Sequence, residues 1–124
     1  MSWSDAREHC NLQNAELASI HSQEENEFVL KLSKEHDYND NDNDNDDWTW
    51  LGGSDSKTEG LFLWTDQSPW TYINWRKKEP NDNDGTHDCI MMRTPKDSSD
   101  LSGTWSVYRC NYNSTFICKL KKTD

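Results

Sequence analysis

Trp48-Thr49-Trp50-Leu51-Gly52-Gly53 is the stretch on which the reading of the fold turns. Aromatics mixed with Thr and Leu fill four positions and a glycine pair closes them off, the pattern of a short strand over 48–51 running into a turn. A second run of the same kind, 61–64, holds Phe62 and Trp64 and is followed by Asp66-Gln67-Ser68-Pro69. The connection between the two runs, 54–60, is polar.

Working outward from this pair, 90–92, 105–108 and 115–120 read as short late strands, with a Ser/Asp/Pro-rich loop over 94–102. Between 67 and 89 apolar periodicity fades and Pro, Asn, Asp and Gly accumulate, which marks a long loop region. Loops of that length inside a small domain usually carry function.

Toward the N-terminus the period changes. Trp3, Ala6 and Cys10 fall three and four apart, so a helix is expected over 5–12 with Ser4 as its N-cap. Leu17, Ala18 and Ile20 make a short apolar stretch, and Ser22-Gln-Glu-Glu25 is a capping-box pattern opening a second helix that ends before His36. Phe28, Val29 and Leu32 form its expected buried stripe.

The segment 37–47 is Asp and Asn throughout apart from Tyr38, and its like charges and poor helix and strand propensities read as a flexible, solvated insertion. An EF-hand calcium loop needs Gly at its sixth position and Glu at its twelfth, and this segment has neither.

With 124 residues the chain is one domain, 1–124, with one core. Only 31% of residues are hydrophobic, yet seven tryptophans argue for a packed aromatic interior rather than disorder. Acidic residues outnumber Lys and Arg 23 to 13, giving a net charge of −10 without a basic stripe. Nucleic acid is therefore a poor partner. The sequence has no apolar run long enough to span a membrane and no signal-peptide pattern at its start, so either the chain is cytosolic or a secretion signal has been removed.

Cys10, Cys89, Cys110 and Cys118 form an even set without a CxxC pair, which favours disulfides over metal binding and an oxidising compartment. Three connectivities are open on spacing alone. His9, His21, His36 and His87 are scattered, with no activated nucleophile and no phosphate-binding glycine loop, so the chain is expected not to be an enzyme.

Ten elements recur in a fixed order: Trp3-x-x-Ala6-x-x-x-Cys10, Leu17-Ala18-Ser19-Ile20, Glu25-x-x-Phe28, Trp50-Leu51-Gly52-Gly53, Phe62-x-Trp64-x-Asp66, Asn74-Trp75, Glu79-Pro80-Asn81, Asp88-Cys89, Trp105-x-x-x-x-Cys110 and Phe116-Ile117-Cys118. In this series the chain resembles the C-type lectin domain over almost its whole length. The resemblance implies an α+β fold, two helices flanking small antiparallel sheets with a long ligand-binding loop, and disulfides Cys10–Cys118 and Cys89–Cys110. It also implies a strand before Trp3 that this sequence lacks, as expected of a trimmed piece of a longer protein, with an unpaired strand edge near the C-terminus.

For the loop, the resemblance implies a calcium ion whose shell is completed by two sugar hydroxyls. Glu79-Pro80-Asn81 matches the family form associated with mannose-type sugars, making Glu79 and Asn81 the candidate carbohydrate and primary calcium ligands. The remaining family positions hold His87, Ser106 and Val107, which supply no carboxylate, so this site reads as degraded. The auxiliary calcium positions fall on Asp55, Glu59, Asp82 and Asp88, all acidic. Four converging carboxylates repel one another and a calcium ion would neutralise them; the alternative is that they lie apart on a solvated loop.

The expected function is therefore an extracellular recognition module, secreted or part of an ectodomain, binding a mannose-type carbohydrate with calcium. The alternative is a calcium-independent module of the same fold that binds an extracellular protein; ice binding is a third use of the scaffold. Asn113-Ser114-Thr115 is a glycosylation sequon, consistent with an extracellular glycoprotein.

Overall fold

The computed structural model describes residues 1–35, 48–58, 60–76, 87–94 and 102–120. The insertion at 37–47 lies outside the described residues. Two helices and seven strands follow one another among them: α1 Trp3–Leu12, β1 Ala15–Leu17, α2 Gln23–Glu35, β2 Trp48–Ser54, β3 Leu63–Trp64, β4 Cys89–Arg93, β5 Trp105–Tyr108, β6 Thr115–Phe116 and β7 Cys118–Leu120.

Helix α1 starts two residues before the expected position, because Ser2 and not Ser4 caps it. Ser2 is extended, at φ −65° and ψ 166°, and its hydroxyl accepts from the Asp5 N–H. Ser4 is left inside the helix on its exposed side. Trp3, Ala6 and Cys10 are buried, as their spacing requires. The chain then reverses through Asn14, at φ 58°, a left-handed conformation that Asn tolerates better than most residues.

The capping box of α2 forms in a shifted version, in which the Glu25 side chain reaches the N–H one residue before the cap Ser22. Ser22 Oγ accepts from the Glu25 N–H at 3.1 Å and Glu25 Oε1 accepts from the His21 N–H at 2.7 Å. The inward stripe differs from expectation. Val29 is buried but Phe28 is 61% exposed, and Asn26, at 4%, takes the inward position one turn earlier. Asn26 is buried without penalty because both ends of its amide are used: Nδ2 donates to the Gly103 carbonyl and Oδ1 accepts from Trp105 Nε1 at 2.8 Å.

The main sheet runs in the order β3-β2-β4-β5, all antiparallel, and β6 pairs with β2 in parallel, Trp50 opposite Phe116. A two-stranded sheet pairs β1 with β7, Leu17 opposite Cys118. The expected 115–120 strand is thus divided at Ile117, its halves serving different sheets. Gly52 marks where the two sheets touch: its N–H donates to the Ala18 carbonyl at 2.8 Å, and a Cβ there would lie 2.6 Å from the Leu17 carbonyl oxygen.

Both faces of β2 and β4 are covered, so these strands read as apolar runs and not as alternating ones. Leu51, Ile90 and Met92 pack with Trp64, Trp105, Val107 and Val29 in one core cluster. Trp50, Cys89 and Met91 pack with Trp3, Ala6, Cys10 and Leu17 in the other. The disulfides are Cys10–Cys118, tying α1 to β7, and Cys89–Cys110, as the resemblance implied.

A polar latch joins the start of α2 to the turn after β3. Asp66 accepts from Ser19 Oγ, Ser68 Oγ and the Ser68 N–H, and Lys119 reaches Ser19 Oγ at 3.2 Å and Glu25 at 3.2 Å. Burial opposes the charged form of Asp66, but the hydrogen bonds from Ser19 and Ser68 and the charge of Lys119 together hold its pKa below the ordinary 3.8. A depressed native pKa stabilises the fold fully above the ordinary value and is lost as the pH falls through the native one. Acid unfolding of Asp66→Asn beside the parent is thus expected to show a stability gap that closes below pH 3.8. A gap unchanged down to complete unfolding would show that the charge of Asp66 contributes nothing.

Candidate functional site

The ladder between β2 and β4 sets Ser54 opposite Cys89, and one residue further the Asp55 N–H donates to the Asp88 carbonyl at 3.0 Å. Two aspartates are thereby placed side by side where the sheet ends. The chain after β2 then turns back through Gly60, at φ 85°, so that the Gly60 N–H donates to Asp55 Oδ2 at 2.9 Å.

Asp55 is 1% exposed. Its Oδ1 and the Oδ1 of Asp88 are both buried and have no hydrogen-bond partner among the described residues. Burial raises the pKa of Asp55; the Gly60 N–H opposes this, and the adjacent Asp88 carboxylate adds to it. Buried oxygens are normally satisfied, and two carboxylates sharing a dry site repel. A hard divalent cation would supply both the missing partners and the missing positive charge. Asp55 and Asp88 thus present hard oxygen donors of the kind calcium takes, two of the about six to eight that it needs.

Of the four auxiliary positions, Asp55 and Asp88 are therefore brought together, and Glu59 and Asp82 lie outside the described residues. Glu79 and Asn81 also lie outside them. Among the described residues no group of three or more His, Cys, Asp or Glu side chains converges as a metal site. The chain positions expected to weaken the primary site are all described. Val107 is 3% exposed and packs in the core cluster with Ile90 and Trp105. Ser106 is buried at 6%, its hydroxyl without a partner among the described residues. The His87 ring rests on Tyr108, centroids 5.0 Å apart.

Two aromatic groupings near the site escape a reading based on periodicity. Tyr108 is flanked by His87 and by Tyr112, the latter edge-on at 5.1 Å, with the Arg109 guanidinium 5.4 Å over the ring. The spacing of Tyr108 and Tyr112 around Cys110 is the only sequence signal for it. The second grouping roots the long loop: Trp70 stacks on Trp64 at 4.2 Å, and Trp70, Tyr72 and Trp75 all stand edge-on to Trp105. Backbone bonds from Trp105 N to the Asn74 carbonyl and from Arg76 N to the Trp105 carbonyl fix the same segment. At the far end, Asn113 of the sequon is exposed.

Comparison with known proteins gives a consistent answer. The family model "Lectin C-type domain" matches residues 1–120. A lectin of Pleurodeles waltl is 37% identical over 95% of this chain and 63% of its own length. The low affinity immunoglobulin epsilon Fc receptor of Mus musculus is 34% identical over 94% of this chain and 30% of its own length. The chain thus spans less than two thirds of these curated relatives. Among solved structures, the cow C-type carbohydrate-recognition domain of CD23, determined with a GlcNAc2Man3 oligosaccharide, superposes with a TM-score of 0.71 at 31% identity, covering 99% of this chain and 83% of that one. A calcium-independent type II antifreeze protein superposes at 0.76 with 28% identity, covering 95% of this chain and 77% of that one.

Proposed function

Because this chain belongs to the C-type lectin domain family, a family of non-enzymatic recognition modules, we propose that it is an extracellular module binding a mannose-type glycan with the help of calcium. The observation that carries the calcium part is the Asp55–Asp88 pair, Asp55 buried and Asp88 half-buried, each with a carboxylate oxygen that has no partner among the described residues and with one described backbone N–H, that of Gly60, on Asp55. In this reading Asp55 and Asp88, with Glu59 and Asp82, hold the ion that orders the long loop. Glu79 and Asn81 present oxygen and amide groups to the sugar hydroxyls. When bound at Glu79 and Asn81, a calcium ion would supply a Lewis-acidic contact for two vicinal hydroxyls.

An extracellular setting is supported by two disulfides and an exposed sequon asparagine, since disulfides persist in oxidising compartments. Among the described residues no helix is long and apolar enough to cross a membrane.

A second reading is favoured by Val107 and His87. Val107 lies in the core and His87 rests on a tyrosine ring, so neither replaces a carboxylate ligand. It is a calcium-independent module that contacts an extracellular protein through the long loop, a use of the fold that does not depend on Glu79.

Calcium titration followed by retention on immobilised mannose separates the two. Calcium at about a hundred times its Kd is expected to stabilise the parent by about 2.7 kcal/mol and to leave Asp55→Asn unmoved. Mannose retention is expected to disappear with a chelator and in Glu79→Ala, whose melting temperature stays at the parent value. Retention that ignores the chelator, or no retention at all, would sink the glycan reading; a missing calcium response would sink the assignment of Asp55 and Asp88.

A further inference from the structure

Ser54 and Ser56 project away from Asp55, as alternate residues of an extended segment do; their hydroxyls meet at 2.9 Å while Asp55 is buried against Gly60 and Asp88. On the serine side lies a cleft of about 510 Å³ that reaches from the start of α1 to the turn after β3. Its volume falls in the roughly 300–1,000 Å³ range of small-molecule sites. Neither Asp55 nor Asp88 is among the described residues that line it.

Three polar groups on its rim have hydrogen-bonding capacity to spare. Arg7 is held by Glu16 through Nε at 3.2 Å and Nη2 at 3.5 Å, and Glu16 is only 5% exposed. That pair uses one edge of the guanidinium and fixes its plane, leaving the Nη1 edge available. Lys57 is exposed and forms no ion pair with a described residue. Gln67 is held at φ 67°, a left-handed backbone that a non-glycine residue adopts at a cost and that tends to persist at functional positions.

Charge sets the class of ligand. Among the described residues that line the cleft, Arg7 and Lys57 are cationic and none is a carboxylate, on a protein whose net charge is −10; Arg7 is paired with the buried Glu16. The nearby Asp66 is ionised, but the charge of Lys119 opposes its own, and its oxygens accept from Ser19 and Ser68. Trp3 and the half-exposed Leu63 give the cleft an apolar wall, and Ser56 adds a hydroxyl. An anionic group for Arg7 and Lys57, hydroxyls for Ser56 and Gln67, and a C–H face for Trp3 and Leu63 describe one kind of molecule.

We propose that this cleft binds a small sugar bearing one carboxylate or sulfate, in a manner independent of calcium. The guanidinium and ammonium hold the anion, and the wall takes the face of the ring.

The test follows the tryptophan indole N–H signals of the full chain by NMR, in chelator, during titration with glucuronate, glucose 6-sulfate and glucose. Saturable shifts of the Trp3 signal with either anionic sugar, and weak or absent shifts with glucose, are expected; which anion binds tighter identifies carboxylate or sulfate as the recognised group. Lys57→Glu, an exposed substitution, should weaken binding about tenfold or more. Gln67→Gly fits the left-handed backbone, keeps the fold and removes the amide, so it should weaken binding several-fold. Glucose acting as strongly as the anions, affinity unchanged in Lys57→Glu, or no saturation up to about 10 mM would each overturn the proposal.

Discussion

Replacing Cys10 and Cys118 together by alanine is expected to destabilise the protein by about 4 to 5 kcal/mol, against about 3 kcal/mol for the Cys89 and Cys110 pair. The difference comes from the unfolded chain. The first bridge joins residues 108 apart and the second residues 21 apart, and the entropy a cross-link removes grows with the logarithm of the loop it closes. A domain of this size has about 5–15 kcal/mol in total, so the first variant sits near the edge of folding. Urea midpoints for the two double variants check the order. If the short-loop pair proves the costlier, native contacts around Cys89 and Cys110 outweigh chain entropy.

Trp105→Ala is expected to be worse. The indole is fully buried, and four aromatic rings, Trp64, Trp70, Tyr72 and Trp75, stand edge-on to it. Removing an aromatic side chain of this size from a core costs about 3–5 kcal/mol. The indole N–H also donates to Asn26 Oδ1, so the substitution strands a buried amide oxygen for about 1–3 kcal/mol more. The sum approaches the stability of the whole domain, and the purified variant should lack a cooperative thermal transition. Trp105→Phe separates the two contributions: it keeps a ring and loses only the donor, and adding Asn26→Leu should then cost less than it does in the parent. Additivity of those two changes would mean that the hydrogen bond is not coupled to the packing.

The same pair shows where sequence reading succeeds and where it stops. Trp105 announces itself as a core residue by type and by its place in an apolar strand. Asn26 does not, because its burial depends on the Gly103 carbonyl, 77 residues away, and apolar periodicity therefore favoured Phe28, which the structure leaves exposed. Ser2 and Ser4 are chemically equal caps; only the backbone of Ser2 decided between them. Trp70, Tyr72 and Trp75 lie in the stretch 67–89 where apolar periodicity fades, since irregular backbone carries no period, and their convergence on Trp105 is a tertiary fact. The disulfide pairing and the auxiliary acids came from the resemblance to a family and not from spacing. The structure then joins Asp55 to Asp88 through the pairing of Ser54 with Cys89, a register that no local pattern records.

The parallel docking of β6 on β2 also sets the order of events during synthesis. Thr49 and Trp50 wait for Thr115 and Phe116, and Ala15–Leu17 wait for Cys118–Leu120. A nascent chain that has reached residue 110 lacks the partners of two of its strands and the mate of Cys10. Contacts this distant close slowly. Neither sheet can be completed until residues 115–120 have left the ribosome, and until then apolar strand surface is left for chaperones and oxidoreductases to guard.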